Sequence, residues 1–209
     1  MSQKLFISTS PHIHCGDTVE RNMHLVILAL APALVASFIL FGIGALIVTA
    51  TSVASCILFE WLISRFLLKK EQCTVGDGSA VVTGLLLAFN LPANIPLYQI
   101  IMGSLVAIGI GKMVFGGLGN NPFNPALTGR VFMLVSFPSR MTSWPVPHQM
   151  LAYTDAVTAA TPLSLVGYQN DSLPSYMDMF LGNTGGSIGE TCALALLIGF
   201  VILLAFKVI

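Results

Sequence analysis

The stretch from Leu25 to Ile63 reads LVILALAPALVASFILFGIGALIVTATSVASCILFEWLI, and Glu60 is its only charge. As one helix these 39 residues would be about 58 Å long. The hydrocarbon core of a bilayer is only about 30 Å thick, so the run must fold back. Gly42-Ile43-Gly44 supplies the break, because glycine tolerates the backbone angles of a tight turn. The reading is a hairpin of two spans, 24–42 and 45–65.

Composition agrees with a membrane protein. Of 209 residues, 55% are hydrophobic and 9% charged, and mean hydropathy is +0.85. Soluble domains carry roughly 25% charged residues, so a soluble globular enzyme and a disordered tail are excluded. Lys plus Arg equals Asp plus Glu at 9 each, which leaves no basic surface for nucleic acid.

Four further apolar runs follow the hairpin: 79–89, 97–115, 126–137 and 191–209. Runs 79–89 and 126–137 are too short to cross as straight helices. The expected fold is an all-α integral membrane protein of about six transmembrane helices, some short or re-entrant. Residues 1–23 form an N-terminal arm, 24–137 a membrane domain of five spans, 138–190 a polar segment and 191–209 the sixth span. Placing the N-terminus in the cytoplasm puts Lys4, Arg21, Arg65, Lys69, Lys70, Lys112, Arg130 and Lys207 inside, leaving Arg140 outside. The 138–190 segment then lies on the outer face.

Breaker-rich loops beside short spans often mark binding sites in membrane proteins. Asn124-Pro125 has the pattern of an N-cap followed by proline at the first helical position. With Asn120 and Asn121 it offers amide groups and a helix N-terminus to a hydrogen-bonding ring or an anion; a turn satisfying only its own backbone fits the spacing equally well. Arg130 reads as lying at the inner membrane edge, either snorkelling, pairing with Glu60 or Asp77, or facing a buried ligand. Glu60 beside Trp61 reads as an interfacial anchor. Gly109-Ile110-Gly111 and Gly116-Gly117 read as helix-packing glycines. Cys56 and Cys192 read as small buried hydrophobes. His12, His14 and Cys15 have no fourth ligand nearby, so no metal site is expected. In the outer segment, Pro162 pushes Thr161 to an extended conformation that holds its hydroxyl away from the chain. Asp155 reads as a turn-capping residue.

Several of these stretches resemble one family. Asp155-Ala156-Val157-Thr158-Ala159-Ala160-Thr161 is similar to a flavinylation motif, with alanine at 156 and 159 where the motif usually has glycine. Ser10-Pro11-His12 with Gly16-Asp17-Thr18-Val19, the run Asp77-Gly78-Ser79-Ala80-Val81-Val82-Thr83-Gly84, Gly116 through Leu127, and Gly186-Ser187-Ile188-Gly189-Glu190-Thr191 resemble further signatures, in family order. The family is that of RnfD, the D component of the Rnf ion-translocating electron-transport complex, and of its relative NqrB in the sodium-pumping NADH:quinone reductase. The resemblance covers essentially the whole chain and leans toward the Rnf component. Family members run on for several further spans, so a truncated product is expected.

The resemblance implies a membrane component of a ferredoxin:NAD oxidoreductase complex in the bacterial inner membrane, coupled to sodium-ion or proton movement. FMN would be esterified to Thr161, with Asp155 and Thr158 in its motif. A non-covalent riboflavin is also implied, and Asn120, Asn121 and Asn124 are the candidates to hold it. Implied partners are the other Rnf subunits, including the FMN-bearing RnfG, and a flavin transferase. Lipids surround the spans. A transporter or channel without cofactor is the competing reading, because discontinuous helices suit both. Such a protein needs no Thr161 motif.

Overall fold

A computed structural model describes residues 18–69, 74–166 and 173–208. The His12, His14 and Cys15 cluster, the Ser10-Pro11-His12 and Gly16-Asp17 stretches, Lys4 and Lys70 lie outside the described residues. The rest is mostly helical. Helix α1 runs Val19–Leu62, with Thr18 as its N-cap, five residues before the expected start of the first span. A π-helical turn, Ile63–Leu67, continues it. Then come α2 (Ser79–Phe89), α3 (Leu97–Ile108) with a π-helical extension Gly109–Met113, and α4 (Pro125–Ser136). The last long element is α8 (Ala193–Ala205). Among the described residues, only α1 with its extension has the length and apolarity to cross a bilayer; the apolar helices after it are shorter.

Helix α1 is two limbs. Gly42 has φ 58° and ψ −134°, outside helical geometry and in the left-handed half of the map, where a side chain is disfavoured. The limbs double back, which the neighbours of α2 demonstrate. Gly78 lies against Met23 and Ile27 of the first limb. Ser79 shares Lys112 with Glu60 near the end of the second. In a straight helix Met23 and Glu60 would be about 55 Å apart. The hairpin expected at 42–44 is therefore present.

A kink frees backbone groups that need partners when buried. Here a later segment supplies them. His148 N–H donates to the Leu40 carbonyl at 2.6 Å, and Ile43 N–H to the Met150 carbonyl at 3.0 Å. A Cβ at position 42 would overlap the Met150 carbonyl. Elsewhere bare backbone brings helices together: a Cβ at Gly129 would overlap the Gly103 carbonyl across the α3–α4 contact. The core clusters Phe41, Val48, Leu87, Leu91, Ile95, Ile100 and Met133, and Cys56 is fully buried as expected.

Residues 138–166 and 173–190 form a cap over the kink end of the bundle. It contains α5 (Pro138–Met141), α6 (Pro162–Leu165) and α7 (Tyr176–Leu181). It also contains an antiparallel strand pair of two residues each, β1 (Trp144–Pro145) and β2 (Thr158–Ala159). The strands need no apolar face of their own because the cap rests on the bundle. Tyr153 donates to the Ile95 carbonyl at 2.6 Å, and Ile188 and Gly189 N–H groups reach the carbonyls of Leu91 and Phe89. The loop after α2 is thus a buried floor, not a solvated turn.

Candidate functional site

Two cavities contain the polar groups singled out above. The first, about 400 Å³, lies at the end of the bundle where α1 begins. Met23, Ser79, Lys112, Asn121 and Asn124 line it. Asn124 is the N-cap of α4, its side-chain oxygen accepting from Ala126 N–H at 3.0 Å, with Pro125 at N1. That oxygen is spent on the helix. Asn121 differs: its Oδ1 is buried and has no hydrogen-bond partner. A buried orphan acceptor is costly unless a ligand donor meets it. Asn120 is exposed and does not line the cavity. The loop thus brings two of the three asparagines to one site and leaves the third outside it. Gly116 and Gly117 have φ of 104° and 105°. They shape the turn and do not pack helices.

The floor of this cavity holds a buried ion pair. Lys112 Nζ donates to Glu60 Oε2 at 2.6 Å and to Ser79 Oγ at 2.6 Å. Ser79 in turn donates to Asp77. Lys112 and Glu60 are 1% and 0% exposed. Glu60 is therefore no interfacial anchor, and Lys112 is no solvated charge. The π-helical turn presents Lys112 inward, a distortion frequent at functional positions. Lys112 is the only charge of its apolar run, which is the signal sequence reading passed over.

The second cavity, about 340 Å³, opens at the kink end. Arg130, Trp144, Thr161, Glu190 and Thr191 are among its walls. Thr161 has φ −73° and ψ 155°, the extended state Pro162 favours, and it caps the single turn of α6. Its hydroxyl receives only a long 3.4 Å contact from Ser164 N–H. Thr191 Oγ1 is buried here without a partner. Of the alternatives for Arg130, the ion pair is not formed. Its Nη1 donates to Asn90 Oδ1 at 2.8 Å, and Asn90 is the C-cap of α2, next to the buried loop. Arg130 pairs with neither Glu60 nor Asp77; the middle of α4 lies beside the end of α2. The remaining motif residues stand apart. Asp155 is exposed and caps nothing, and Thr158 is an exposed residue of β2. Neither lines the cavity that holds Thr161.

The cavities fit flavin chemistry. Both lie within the 300–1,000 Å³ range of ligand sites. Asn121 Oδ1 could accept from the imide N–H of an isoalloxazine ring. The second cavity has both the Thr161 hydroxyl and the Arg130 guanidinium in its walls, groups that would suit a phosphoryl ester and its charge.

Comparison with known proteins adds a lineage. The model of the family described as NQR2, RnfD, RnfE matches residues 6–209. The chain is similar to the D component of the Na(+)-translocating ferredoxin:NAD(+) oxidoreductase complex of Acetobacterium woodii, 48% identical over 198 residues, 93% of this chain and 60% of that protein. It is 41% identical over 212 residues to the D component of the proton-translocating ferredoxin:NAD(+) oxidoreductase complex of Clostridium ljungdahlii, covering 97% of this chain and 63% of the other. The D component of the ion-translocating oxidoreductase complex of Shigella dysenteriae is 39% identical over 155 residues, 72% of this chain and 44% of that one. The chain spans about three fifths of the length of the first two.

Proposed function

The chain belongs to the NQR2, RnfD, RnfE family, and on that premise we propose that it works as the RnfD component of an Rnf-type ferredoxin:NAD oxidoreductase complex. It sits in the bacterial inner membrane as a multi-pass protein with a cytoplasmic N-terminus and the 138–190 segment outside. Its partners are the other Rnf subunits, including the FMN-bearing RnfG, and electron passage through the complex drives sodium ions or protons across the membrane.

FMN esterified to Thr161 is the electron relay of this component. The single observation that carries the assignment is the Thr161 hydroxyl: extended, barely engaged, and in the wall of a cavity that also holds a cation. FMN supplies the redox chemistry when bound. The protein's part is to hold the phosphoryl at Thr161, exclude bulk water with the cap, and set the charge around the ring. Thr161 is an attachment point and neither acid nor base. A flavin transferase makes the bond. Riboflavin in the first cavity, against Asn121, is a second, non-covalent carrier.

The test is the intact mass of the chain purified within its complex from cells containing the transferase. The expected result is one added FMN, mapped to the peptide with Thr161 and missing from a Thr161→Val variant that still assembles. FMN retained by that variant overturns the attachment. An unmodified wild-type chain, with the transferase active on another target, favours the cofactor-free transporter.

A further inference from the structure

Arg130 is half-buried in the middle of a short helix packed among apolar neighbours. A guanidinium has five N–H donors and is charged at every physiological pH. Its recorded partner is one neutral oxygen, Asn90 Oδ1. Among the described residues no carboxylate lies within ion-pair distance of it. Asn90 is itself fixed, because its Nδ2 donates to the Leu86 carbonyl at 2.7 Å. That bond turns the amide oxygen toward Arg130 and aims the guanidinium. The acidic group in the same cavity wall is Glu190, which is exposed and accepts from Ser187 Oγ at 2.8 Å. A positive charge so placed within a membrane bundle is expensive and is by default a functional-site candidate whose partner must be named.

We infer that Arg130 is the anion-binding residue of the second cavity, holding the phosphodiester of the flavin carried by Thr161, with Asn90 as its positioning residue. This rests on the attachment proposed above. An ester on Thr161 Oγ1 puts its phosphorus one bond from a wall of the cavity that Arg130 also lines. The phosphodiester carries one permanent negative charge, and the planar fork of arginine matches two of its oxygens. The pairing would neutralise the phosphate charge, and the isoalloxazine would gain negative charge on reduction.

Removing the guanidinium therefore makes reduction harder. The experiment is a reductive titration of the intact complex carrying wild-type, Arg130→Lys, Arg130→Gln or Asn90→Ala chain. The flavin on Thr161 is isolated by subtracting a Thr161→Val complex, and intact mass reports FMN occupancy in each. Expected is full FMN occupancy throughout. The one-electron reduction constant falls about tenfold in Arg130→Gln, about 59 mV, and less in Arg130→Lys, which keeps the charge. An unmoved potential in an FMN-loaded Arg130→Gln complex overturns the assignment while leaving the attachment intact. A wild-type chain without FMN overturns both. If Arg130→Gln does not assemble, Asn90→Ala decides: a lowered potential sustains the inference, and an unchanged one ends it.

Discussion

Lys112 and Glu60 are buried against each other, and removing one leaves the other's charge buried without its opposite. Losing one member of such a pair costs about 3–5 kcal/mol, whereas replacing both can be nearly neutral. Lys112→Met alone and Glu60→Gln alone are expected to lower stability by that order, and the double variant to recover most of it. A double-mutant cycle on denaturant unfolding of the purified protein reads this directly. Additive losses would show that the two charges do not depend on each other. At this scale the sequence is only half legible. An isolated lysine in an apolar run is visible as an anomaly. Its partner, 52 positions earlier, is not, because the pairing depends on how the α1 hairpin registers against the π-helical turn. The position of Arg130 is hidden for the same reason: the middle of α4 lies beside the end of α2 only once the bundle is folded.

Elements with local signals are legible. Asn124-Pro125 announces the start of α4 through cap chemistry and proline's fixed φ, and the glycines at 42 and 44 mark the break in α1. Elements made by tertiary contact are not. Nothing in Trp144-Pro145 or Thr158-Ala159 marks a strand, and the 90–96 loop has a turn's composition yet is buried. The two asparagines of the first cavity accordingly have different fates on substitution. Asn124→Ala removes a cap and should cost about 1 kcal/mol, measurable as a lowered denaturation midpoint. Asn121→Leu removes an orphaned acceptor and should leave stability nearly unchanged, while lowering the non-covalent flavin recovered on extraction. Equal flavin in wild-type and Asn121→Leu protein would move that ligand elsewhere.

Across the whole molecule, the cap and the bundle are tied through backbone carbonyls. Tyr153 is one tie, and its phenol is pushed up from its ordinary range by burial. Its folded value therefore exceeds its unfolded one. Its contribution is complete below the unfolded value near 10 and is lost as pH rises through the folded value. Thermal midpoints measured from pH 8 to 12 should fall on the alkaline side. Tyr153→Phe should begin about 1 kcal/mol less stable, from the lost hydrogen bond, and decline less. Parallel profiles would mean that this tie does not titrate.

The kink at Gly42 bears on the order of biosynthesis. Its two freed backbone groups, at Leu40 and Ile43, are met by His148 and Met150. A ribosome makes those residues only after more than a hundred others. The first hairpin is thus synthesised with its bend unfinished, and α2, α3 and α4 must be made before the chain returns to close it. Folding of this protein is not a sequence of independently completed steps: the first turn to be made is among the last to be secured.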